Sequence, residues 1–398
     1  MLQFEEAKGL LKKQVQLIQE IESVPLADAV GRILAEDGCA LVDQPPFPRS
    51  PLDGYAVRAE DTLGASKDSP KSLRVIGKIY AGMVLDGQIH HGEAVRIMTG
   101  APIPSGADTV IRQENTDYGK EQVQVYEELC AFDNYCPQGE DYKTGDILLK
   151  KRTILDGVSI ALLASLGKEQ IKVYRKPRIA IISTGDEVVL PGQKLLPGKI
   201  YDSNLYYLYG RLLELGIKPV FACHCGDNPQ KMANIIREQA TKADLIISTG
   251  GVSVGEKDIM HEVIQTLNAK KLFWRVDMKP GAPTLAAKYQ GVPVICLSGN
   301  PFGAAANFEL LVRPMIEELT GHCRWNMEKK QAVMETDYSK GGVRRFIRGY
   351  YEDGKVMIPK GNLASGVLSS MLGCNCLIEI TPEQCGVKKG DLVWVYLL

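Results

Sequence analysis

The chain has 398 residues, of which 45% are hydrophobic and 24% charged, a composition typical of folded globular proteins. These values exclude a disordered or fibrous chain, and the length corresponds to about two to three domains. Lysine and arginine total 47 and aspartate and glutamate total 48, so the net charge of −1 gives no overall attraction to nucleic acid or to an anionic membrane. We therefore expect any anion-binding site to be local.

The N-terminal residues MLQFEEAKGLLKK contain acidic side chains and no apolar core of a signal peptide, and the longer apolar runs are too short to span a bilayer. We expect a cytoplasmic protein with no membrane or nucleic-acid partner. The ten cysteines are then expected to be reduced thiols. The pairs Cys223/Cys225 and Cys374/Cys376 have CxC spacing, which is not the CxxC spacing of zinc sites, so structural thiols are favoured.

The first 37 residues carry apolar side chains at helical spacing and predict a helix, a bend and a short second helix. The segment QPPFPRSP (44–51) excludes both a helix interior and a central strand. Short apolar stretches between residues 52 and 150, separated by Gly, Pro and Asp clusters, predict an antiparallel β domain. Helical spacing returns between Thr153 and Leu166, and Gly167 is suited to end that helix.

From residue 172 to about 320, apolar strands alternate with helical segments, which predicts a parallel sheet with helices on both faces. The remaining residues return to short strands and predict a small β barrel or sandwich. The predicted fold class is thus α/β plus β, with a parallel-sheet α/β domain, an inserted antiparallel β domain, a helical segment and a C-terminal β barrel. We place a discontinuous helical domain at 1–45 and 145–171, the β insertion at 46–144, the α/β domain at 172–322 and the barrel at 323–398.

Three strands of the α/β segment end in a small hydroxyl residue and glycine: IISTGDE (181–187), IISTGGVSVGEKD (246–258) and ICLSGNP (295–301). In an open parallel sheet these loops lie at the carboxyl edge, where ligands bind. Glycine backbone, hydroxyl groups and helix N termini suit that edge to phosphate or another oxyanion, and plain tight turns are the alternative. The motifs GxxxxGK[ST] and, after a first strand, GxGxxG are absent, which disfavours P-loop nucleotidases and dinucleotide binding.

Acidic residues accompany these glycines. Asp186 and Glu187 follow the first loop, Glu256 and Asp258 follow the second, and Asp227 lies in the CGDNP loop. Carboxylates beside a phosphate site are consistent with a bridging hard cation such as Mg²⁺. Helix capping and solvation are the ordinary alternatives for acids in loops.

Candidate cations lie further along the chain. Lys279 in MKPGAP precedes a rigid Pro-Gly turn, and the last domain has an arginine cluster suited to bidentate oxyanion recognition: Arg344, Arg345 and Arg348. Exposure on the solvated surface is the alternative for each. Two further loops, SPLDGYAVR and RIMTGAPIPSGAD, hold Asp53 and Thr99 next to glycine and proline, which fix the position of a side chain.

The segments SPLDGYAVR, RIMTGAPIPSGADTVI, GEDYKTGD, STGDEVV, DSNLYYL, STGGVSVGEKD, MKPGAP and SGNPFGA resemble, in order and over the whole chain, the molybdopterin molybdenumtransferases of the MoeA family. The resemblance implies a homodimer of four-domain chains. It implies a transferase of molybdenum cofactor biosynthesis that hydrolyses adenylated molybdopterin with Mg²⁺ while molybdate enters the dithiolene, giving the cofactor and AMP. It also implies two kinds of partner, a molybdopterin-adenylating protein and apo-molybdoenzymes.

The resemblance further assigns site residues. Glu187 and Asp258 correspond to carboxylates of the Mg²⁺ site. Catalytic roles fall on Asp53, Thr99, Asp141 and Asp227, and the first three would face the α/β edge of the other subunit. The substrate-binding residues, which include an oxyanion-binding set, are Asp186, Gly250, Gly251, Ser253, Lys279, Ser298, Asn300, Arg348 and Ser365.

The chain departs from the family pattern at several oxyanion-site positions. Ala282 stands where the family has a second lysine, Ser298 replaces a proline, Gly303 stands where serine is frequent, and Tyr135 to Gln138 replace arginines. A charge-assisted hydrogen bond is worth about 1.5–3 kcal/mol, so two missing cations could weaken molybdate binding by a few powers of ten. Metal insertion is the leading hypothesis. The alternatives are a paralogue that binds or transfers molybdopterin without inserting metal, and a scaffold that binds partner peptides.

Overall fold

The computed structural model describes residues 1–252, 258–322 and 325–398. They form two compact units, one of Met1–Glu22 with Tyr174–Leu398 and one of Ser23–Val173. The α-helices are α1 (Phe4–Lys12), α2 (Gly157–Ser165), α3 (Asn204–Glu214), α4 (Pro229–Gln239), α5 (Ile259–Thr266), α6 (Pro301–Asn307) and α7 (Arg313–Thr320). The strands are β1 (Leu2–Gln3), β2 (Ile21–Pro25), β3 (Ile33–Leu34), β4 (Gly38–Cys39), β5 (Gly54–Val57), β6 (Lys71–Ile79), β7 (Glu93–Ile97), β8 (Thr109–Arg112), β9 (Gln122–Val125), β10 (Ile147–Leu149), β11 (Gln170–Tyr174), β12 (Ile179–Thr184), β13 (Val188–Val189), β14 (Ile200–Tyr201), β15 (Phe221–Cys225), β16 (Leu245–Thr249), β17 (Lys270–Trp274), β18 (Val276–Asp277), β19 (Leu285–Tyr289), β20 (Val292–Leu297), β21 (Lys329–Met334), β22 (Arg345–Glu352), β23 (Lys355–Met357), β24 (Cys376–Ile380) and β25 (Leu392–Leu397). The four-domain division stays a prediction.

A six-stranded sheet in the order β15-β12-β16-β20-β19-β17 forms the centre of the first unit. Strands β15, β12, β16 and β20 run parallel, as predicted. Every residue of β12 and β16 is buried, because strands of such sheets are covered on both faces. The sequence analysis missed β19 and β17, which extend the sheet antiparallel and whose lysines interrupt the apolar pattern.

Helices α3, α4 and α5 bury one apolar face each, whereas α6 is buried at nearly every residue. In α4, Asn228 accepts a hydrogen bond from the Lys231 N–H at 2.8 Å, Pro229 occupies the first turn, and Met232 and Ile236 are buried at helical spacing. The last helical segment of the predicted alternation is interrupted by a π turn at Phe308–Val312 between α6 and α7. No helix formed by residues 1–252, 258–322 or 325–398 is both long and apolar enough to cross a membrane.

The C-terminal strands close into a barrel in the order β21-β23-β22-β24-β25. Apolar side chains from alternate positions, including Met334, Ile347, Ile378 and Val395, fill its interior. The structure therefore selects the barrel over the sandwich. The sequence analysis missed β21, whose sequence KKQAVM has little apolar alternation.

The second unit contains a five-stranded sheet in the order β8-β5-β7-β6-β9. Three of its pairings are antiparallel, as predicted, but β6 and β7 pair in parallel. Strand β5 is buried throughout because Tyr55 and Val57 enter one apolar cluster and Ala56 enters another. The last of the short apolar stretches between residues 52 and 150 forms β10, which pairs with β4 outside this sheet.

The predicted second helix before residue 37 is wrong. After α1, the chain forms β2, a 3₁₀ turn at Leu26–Asp28, β3 and β4. Apolar side chains in this segment match helical spacing, but strand pairing with β11 satisfies its backbone instead, and Gly31 with φ +74° breaks the run. The helix predicted up to Leu166 is confirmed as α2, capped by Asp156 and followed by Gly167 at φ +72°.

A buried carboxylate fixes the π turn. Glu309 is 1% exposed and accepts hydrogen bonds from Arg211 Nε at 2.7 Å and Arg313 Nη1 at 3.0 Å. Arg211 also pairs with Glu214, whose side chain is 62% exposed. One carboxylate thus holds two arginines of different helices.

We predict that Glu309→Ala lowers the free energy of unfolding of the first unit by about 3–5 kcal/mol, since it leaves the buried guanidinium of Arg313 and the partly buried one of Arg211 without the buried carboxylate that they share. Glu214→Ala is the matched control, because it removes an exposed partner of the same arginine and should cost about 1 kcal/mol or less. Urea unfolding followed by circular dichroism measures both. Equal losses in the two variants would contradict the role of Glu309.

Candidate functional site

Two aspartates interlock at the carboxyl ends of β12 and β15. Asp227 accepts hydrogen bonds from Thr184 Oγ1 at 2.9 Å and from the Asp186 N–H at 3.1 Å. The Asp227 N–H in turn donates to Asp186 Oδ1 at 3.0 Å. Lys199 Nζ donates to the Asp186 carbonyl. The two carboxylates therefore hold the two loops together as well as presenting negative charge at this edge.

An acidic cavity of about 600 Å³ lies at the same edge. Glu187, Asp227 and Asp258 line it. Residues of all three glycine loops also line it, including Gly185, Gly250 and Ser298. The structure thus brings together the loops and most of the acids that the sequence singled out, and places both predicted Mg²⁺ ligands on one cavity.

The glycines of the second loop are required by the backbone. Gly250 has φ +94°, and a Cβ there would lie 2.6 Å from the carbonyl oxygen of Thr184. Gly251 has φ +61°. Both conformations disfavour any other residue, so the loop approaches β12 more closely than a side chain allows. Ser253, predicted to bind substrate, lies outside the described residues.

The donor set of the acidic cavity fits Mg²⁺. Its charged members offer carboxylate oxygens, the ligands that this hard ion prefers, and they are Glu187, Asp202, Asp227 and Asp258. Among the described residues, these carboxylates do not form a group of three within 4.8 Å of one another. They suit an ion that shares its coordination with phosphate oxygens and water, as Mg²⁺ commonly does, rather than an ion enclosed by protein alone.

A second, basic cavity of about 620 Å³ adjoins the acidic one. The two cavities share Pro283, Ser298 and Asn300 in their linings. Four cations line the basic cavity: Lys279, Lys340, Arg345 and Arg348. Ala282 and Ser365 line it too. Lys340 was not predicted, although it directly precedes Gly341 and Gly342.

Arg348 is the buried cation of this cavity. It is 1% exposed, its guanidinium lies 4.2 Å from the centre of the Phe302 ring, and Nη2 donates to the Ala364 carbonyl at 3.1 Å. In the part of the chain that the structure describes, Nε and Nη1 have no hydrogen-bond partner. Burial lowers the pKa of Arg348, although an arginine keeps its charge at neutral pH. Two buried donors are thus available to an anion.

Arg344 does not take part in this cavity. Its Nη1 pairs with Glu379 at 2.8 Å and with Glu5 at 3.4 Å. The arginine cluster of the sequence therefore divides into one structural residue, Arg344, and two residues of the cavity wall, Arg345 and Arg348.

Asn307 ties together the turn that the cavities share. Its Oδ1 accepts a hydrogen bond from the Ser298 N–H at 3.2 Å, and its Nδ2 donates to the Gly281 carbonyl at 3.0 Å. The Asn300 N–H donates to Ser298 Oγ at 3.3 Å. Sequence analysis missed Asn307, although a polar residue within the apolar run AAANF is the signal that could have revealed it.

Two departures from the family pattern are neighbours in space. A Cβ on Gly303 would lie 2.7 Å from Ser298 Oγ and 2.9 Å from Ser298 Cβ. Contacts that close do not occur between real side chains, so Gly303 is the residue that leaves room for Ser298. The two substitutions are sterically linked.

The second unit holds the other predicted residues. Asp53 Oδ1 accepts hydrogen bonds from the Thr99 N–H at 2.8 Å and from Thr99 Oγ1 at 2.7 Å. These bonds, the backbone one first, lower the pKa of Asp53. Asp141 is exposed, and its backbone N–H donates to the Gln44 carbonyl at 2.9 Å. The structure therefore joins Asp53 to Thr99 and shows no such bond for the Asp141 side chain among the described residues.

Thr99 also borders a cavity of about 360 Å³ in this unit. Tyr135 and Cys136, which stand where the family has arginines, line the same cavity. Arg49 lines it as well and donates from Nε to Cys136 Sγ at 3.4 Å, so one cation is present there. The sequence analysis missed Arg49 because it lies within the proline-rich segment.

Comparison with known proteins covers nearly the whole chain. Residues 2–167 match the MoeA N-terminal region (domain I and II), residues 180–318 match a probable molybdopterin binding domain, and residues 331–398 match the MoeA C-terminal region (domain IV). Fold and matches together define a transferase of molybdenum cofactor biosynthesis. The chain belongs to the MoeA family of molybdopterin molybdenumtransferases.

Individual relatives agree. A molybdopterin molybdenumtransferase of Staphylococcus epidermidis is 35% identical over 397 residues, which are 99% of this chain and 94% of that protein. One of Bacillus subtilis is 36% identical over 387 residues, which are 95% of this chain and 90% of that protein. A crystal structure of a molybdopterin biosynthesis MoeA protein from Pyrococcus horikoshii has a TM-score of 0.81 at 32% identity and covers 100% of both chains. The sequence-based recognition of the family and of the fold class is confirmed.

We predict that Thr99→Val raises the pKa of Asp53 toward its unfolded value of about 3.9, because the hydroxyl donor is lost while the backbone donor remains. The folded pKa is depressed, so these hydrogen bonds stabilise the unit above the unfolded pKa, and the stabilisation is lost as the pH falls through the folded pKa. Carboxyl ¹³C NMR titration measures the change.

Thr144→Val is the matched control. Thr144 donates to Asp43 Oδ1 from its N–H at 2.7 Å and from Oγ1 at 2.8 Å, and these bonds lower the pKa of Asp43 in the same way. The control should raise the pKa of Asp43 and leave that of Asp53 unchanged. An Asp53 titration that is identical in Thr99→Val and the parent would contradict the assignment.

Proposed function

We propose that this chain hydrolyses adenylated molybdopterin in a Mg²⁺-dependent reaction, releases AMP and inserts molybdate into the dithiolene. The observation that carries the proposal is the meeting of two cavities of opposite charge at Pro283, Ser298 and Asn300. Such a pair can hold a cation-bridged phosphate on one side and a metal oxyanion on the other. Both parts of the reaction then take place in contiguous space.

On the acidic side, Glu187 and Asp258 would hold Mg²⁺, and Asp227 lines the same space. The ion, when bound, neutralises phosphate charge and polarises a phosphoryl oxygen. Asp186 and Asp227 keep the two loops in register through their reciprocal hydrogen bonds. The glycine backbone at Gly250 and Gly251 leaves room for the substrate to approach the sheet edge.

On the basic side, Arg348 offers molybdate two buried N–H donors that no described residue uses. Stacking on Phe302 and the bond to Ala364 hold the guanidinium plane in place. Lys279, Lys340 and Arg345 add positive charge around it, and Ser365 lines the same cavity. These cations support metal insertion over the non-inserting alternative, even though Ala282 replaces a lysine.

The proposal includes a cytoplasmic homodimer in which Asp53, Thr99 and Asp141 of one subunit act on the substrate of the other. The two hydrogen bonds from Thr99 support this role, because they fix the orientation of the Asp53 carboxylate. A molybdopterin-adenylating protein would supply the substrate, and apo-molybdoenzymes would receive the product. The scaffold alternative has no specific observation in its favour.

The direct test incubates the purified chain with adenylated molybdopterin, Mg²⁺ and molybdate. We expect AMP release and dithiolene-bound molybdenum, with neither product when Mg²⁺ is withheld. Tight binding of intact adenylated molybdopterin without AMP release would replace the proposal with the non-inserting carrier. AMP release without molybdenum insertion would refute the role of the basic cavity and leave the role of the acidic cavity intact.

Asp258→Ala should abolish Mg²⁺-dependent AMP release while the chain stays folded, because it removes a loop carboxylate and opens no apolar core. Glu262→Ala is the matched control, since Glu262 is an exposed acid in the first turn of α5. The rate of AMP release at several Mg²⁺ concentrations measures both. Unchanged turnover in Asp258→Ala would contradict the metal assignment.

Ala282→Lys should lower the molybdate concentration that gives the half-maximal insertion rate by about tenfold or more, because it adds a charge-assisted donor to the basic cavity. Ala282→Met is the matched control, with comparable length and no charge. An equal effect of both variants would attribute the change to packing. No effect of Ala282→Lys would show that the cations already present are sufficient.

A further inference from the structure

A cluster of potential metal ligands lies in the second unit, apart from every residue used above. Glu60 and Asp61 belong to a 3₁₀ turn at Ala59–Thr62, and His91 lies in the loop before β7. One ligand atom from each side chain falls within 4.8 Å of the others. The sequence gives no sign of this cluster, because thirty residues separate its two segments.

The central ligand of this cluster is the buried carboxylate of Asp61. The Asp61 side chain is 1% exposed, and its Oδ2 accepts a hydrogen bond from the Gly92 N–H at 3.0 Å. Its Oδ1 is buried and lies against His91 Nδ1, and the described residues supply it with no other hydrogen-bond partner. A buried carboxylate whose second oxygen has only an exposed imidazole as its partner is stabilised by a cation that coordinates it.

His91 Nδ1 pairs with Asp61 Oδ1, and the pair is ionic if the ring is protonated. In the pair as it stands, Nδ1 donates a proton to this oxygen, and once that proton is lost Nδ1 offers a lone pair to a metal ion. A divalent ion that displaces the proton can bind Nδ1 and the Asp61 carboxylate together. The Glu60 carboxylate is the third donor of the group, and its side chain is 62% exposed, which keeps the site open to solvent.

Both segments are held in place without a metal. The Ala59 N–H donates to Asp108 Oδ1 at 2.7 Å, which anchors the 3₁₀ turn. The His90 N–H donates to Glu93 Oε2 at 3.0 Å, which anchors the loop that presents His91. A site that is ordered before binding loses less conformational entropy when the ion arrives. Arg58 opposes binding, because its Nη2 pairs with Glu60 Oε1.

We propose that Glu60, Asp61 and His91 form a binding site for a divalent first-row transition ion, for which Zn²⁺ is the probe. One imidazole nitrogen and two carboxylates are a donor set that suits such ions, whereas imidazole is a poor ligand for Mg²⁺ and Ca²⁺. Three protein ligands leave at least one coordination position for water or for a ligand from a partner. The site is independent of the reaction proposed above.

The test uses the full chain, freed of metal by chelation and kept reduced, titrated with zinc chloride by isothermal calorimetry. His91→Ala should lose one equivalent of Zn²⁺, or weaken its binding by at least about tenfold, because one of three ligands is gone. His90→Ala is the matched control, since His90 is the exposed neighbour outside the cluster. Binding by exposed thiols contributes equally to both variants and cancels.

Two further measurements make the outcome decisive. Glu60→Gln should weaken Zn²⁺ binding, and Arg58→Gln should strengthen it because the competing ion pair disappears. The His91 ring resonances in ¹H–¹⁵N spectra should shift on addition of Zn²⁺, while those of His90 stay in place. Equal Zn²⁺ binding by His91→Ala and His90→Ala, with no ring shift, would overturn the proposal and leave an ordinary His91–Asp61 ion pair.

Discussion

The site of the first unit depends on one turn, Ser298–Asn300, which must place opposite charges next to each other without letting them neutralise. Acids line one side of this turn and cations line the other. Asn307 holds the turn through its bonds to Ser298 and Gly281, and it does so as a neutral side chain. Because the clamp carries no charge, the acids and the cations stay available for ligands.

The sequence predicted the elements that repeat strongly and missed those that depend on distant partners. The parallel strands and the three glycine loops were predicted, since an apolar run followed by Ser/Thr-Gly indicates a strand and the loop after it from neighbouring residues alone. Strands β17, β19 and β21 were missed because lysines interrupt them and only pairing with neighbours makes them strands. The second helix was predicted wrongly for the opposite reason. Its apolar residues have helical spacing, but the segment pairs with β11 as strands β2 and β3.

The residues of the site differ in the same way: some have a local sequence signal, and others depend on distant partners. Acids that follow strands, such as Glu187 and Asp227, could be predicted because a sheet edge collects them. Lys340 and Asn307 were not predicted, because the place of Lys340 in the cavity lining and the bonds of Asn307 to Ser298 and Gly281 arise only when distant segments pack together. The linkage between Ser298 and Gly303 also needed coordinates, because in sequence they are two unrelated departures. The Ser298 side chain occupies the space that a side chain at position 303 would need.

Arg348 has a consequence for how the first unit is held together. It belongs to barrel strand β22, yet its guanidinium stacks on Phe302 of α6. An oxyanion bound to its remaining N–H groups would connect the barrel to the α/β part of the unit, because residues of both line this cavity. The bound oxyanion would then also stabilise the packing of the barrel against α6, and the unit would be less stable when the cavity is empty.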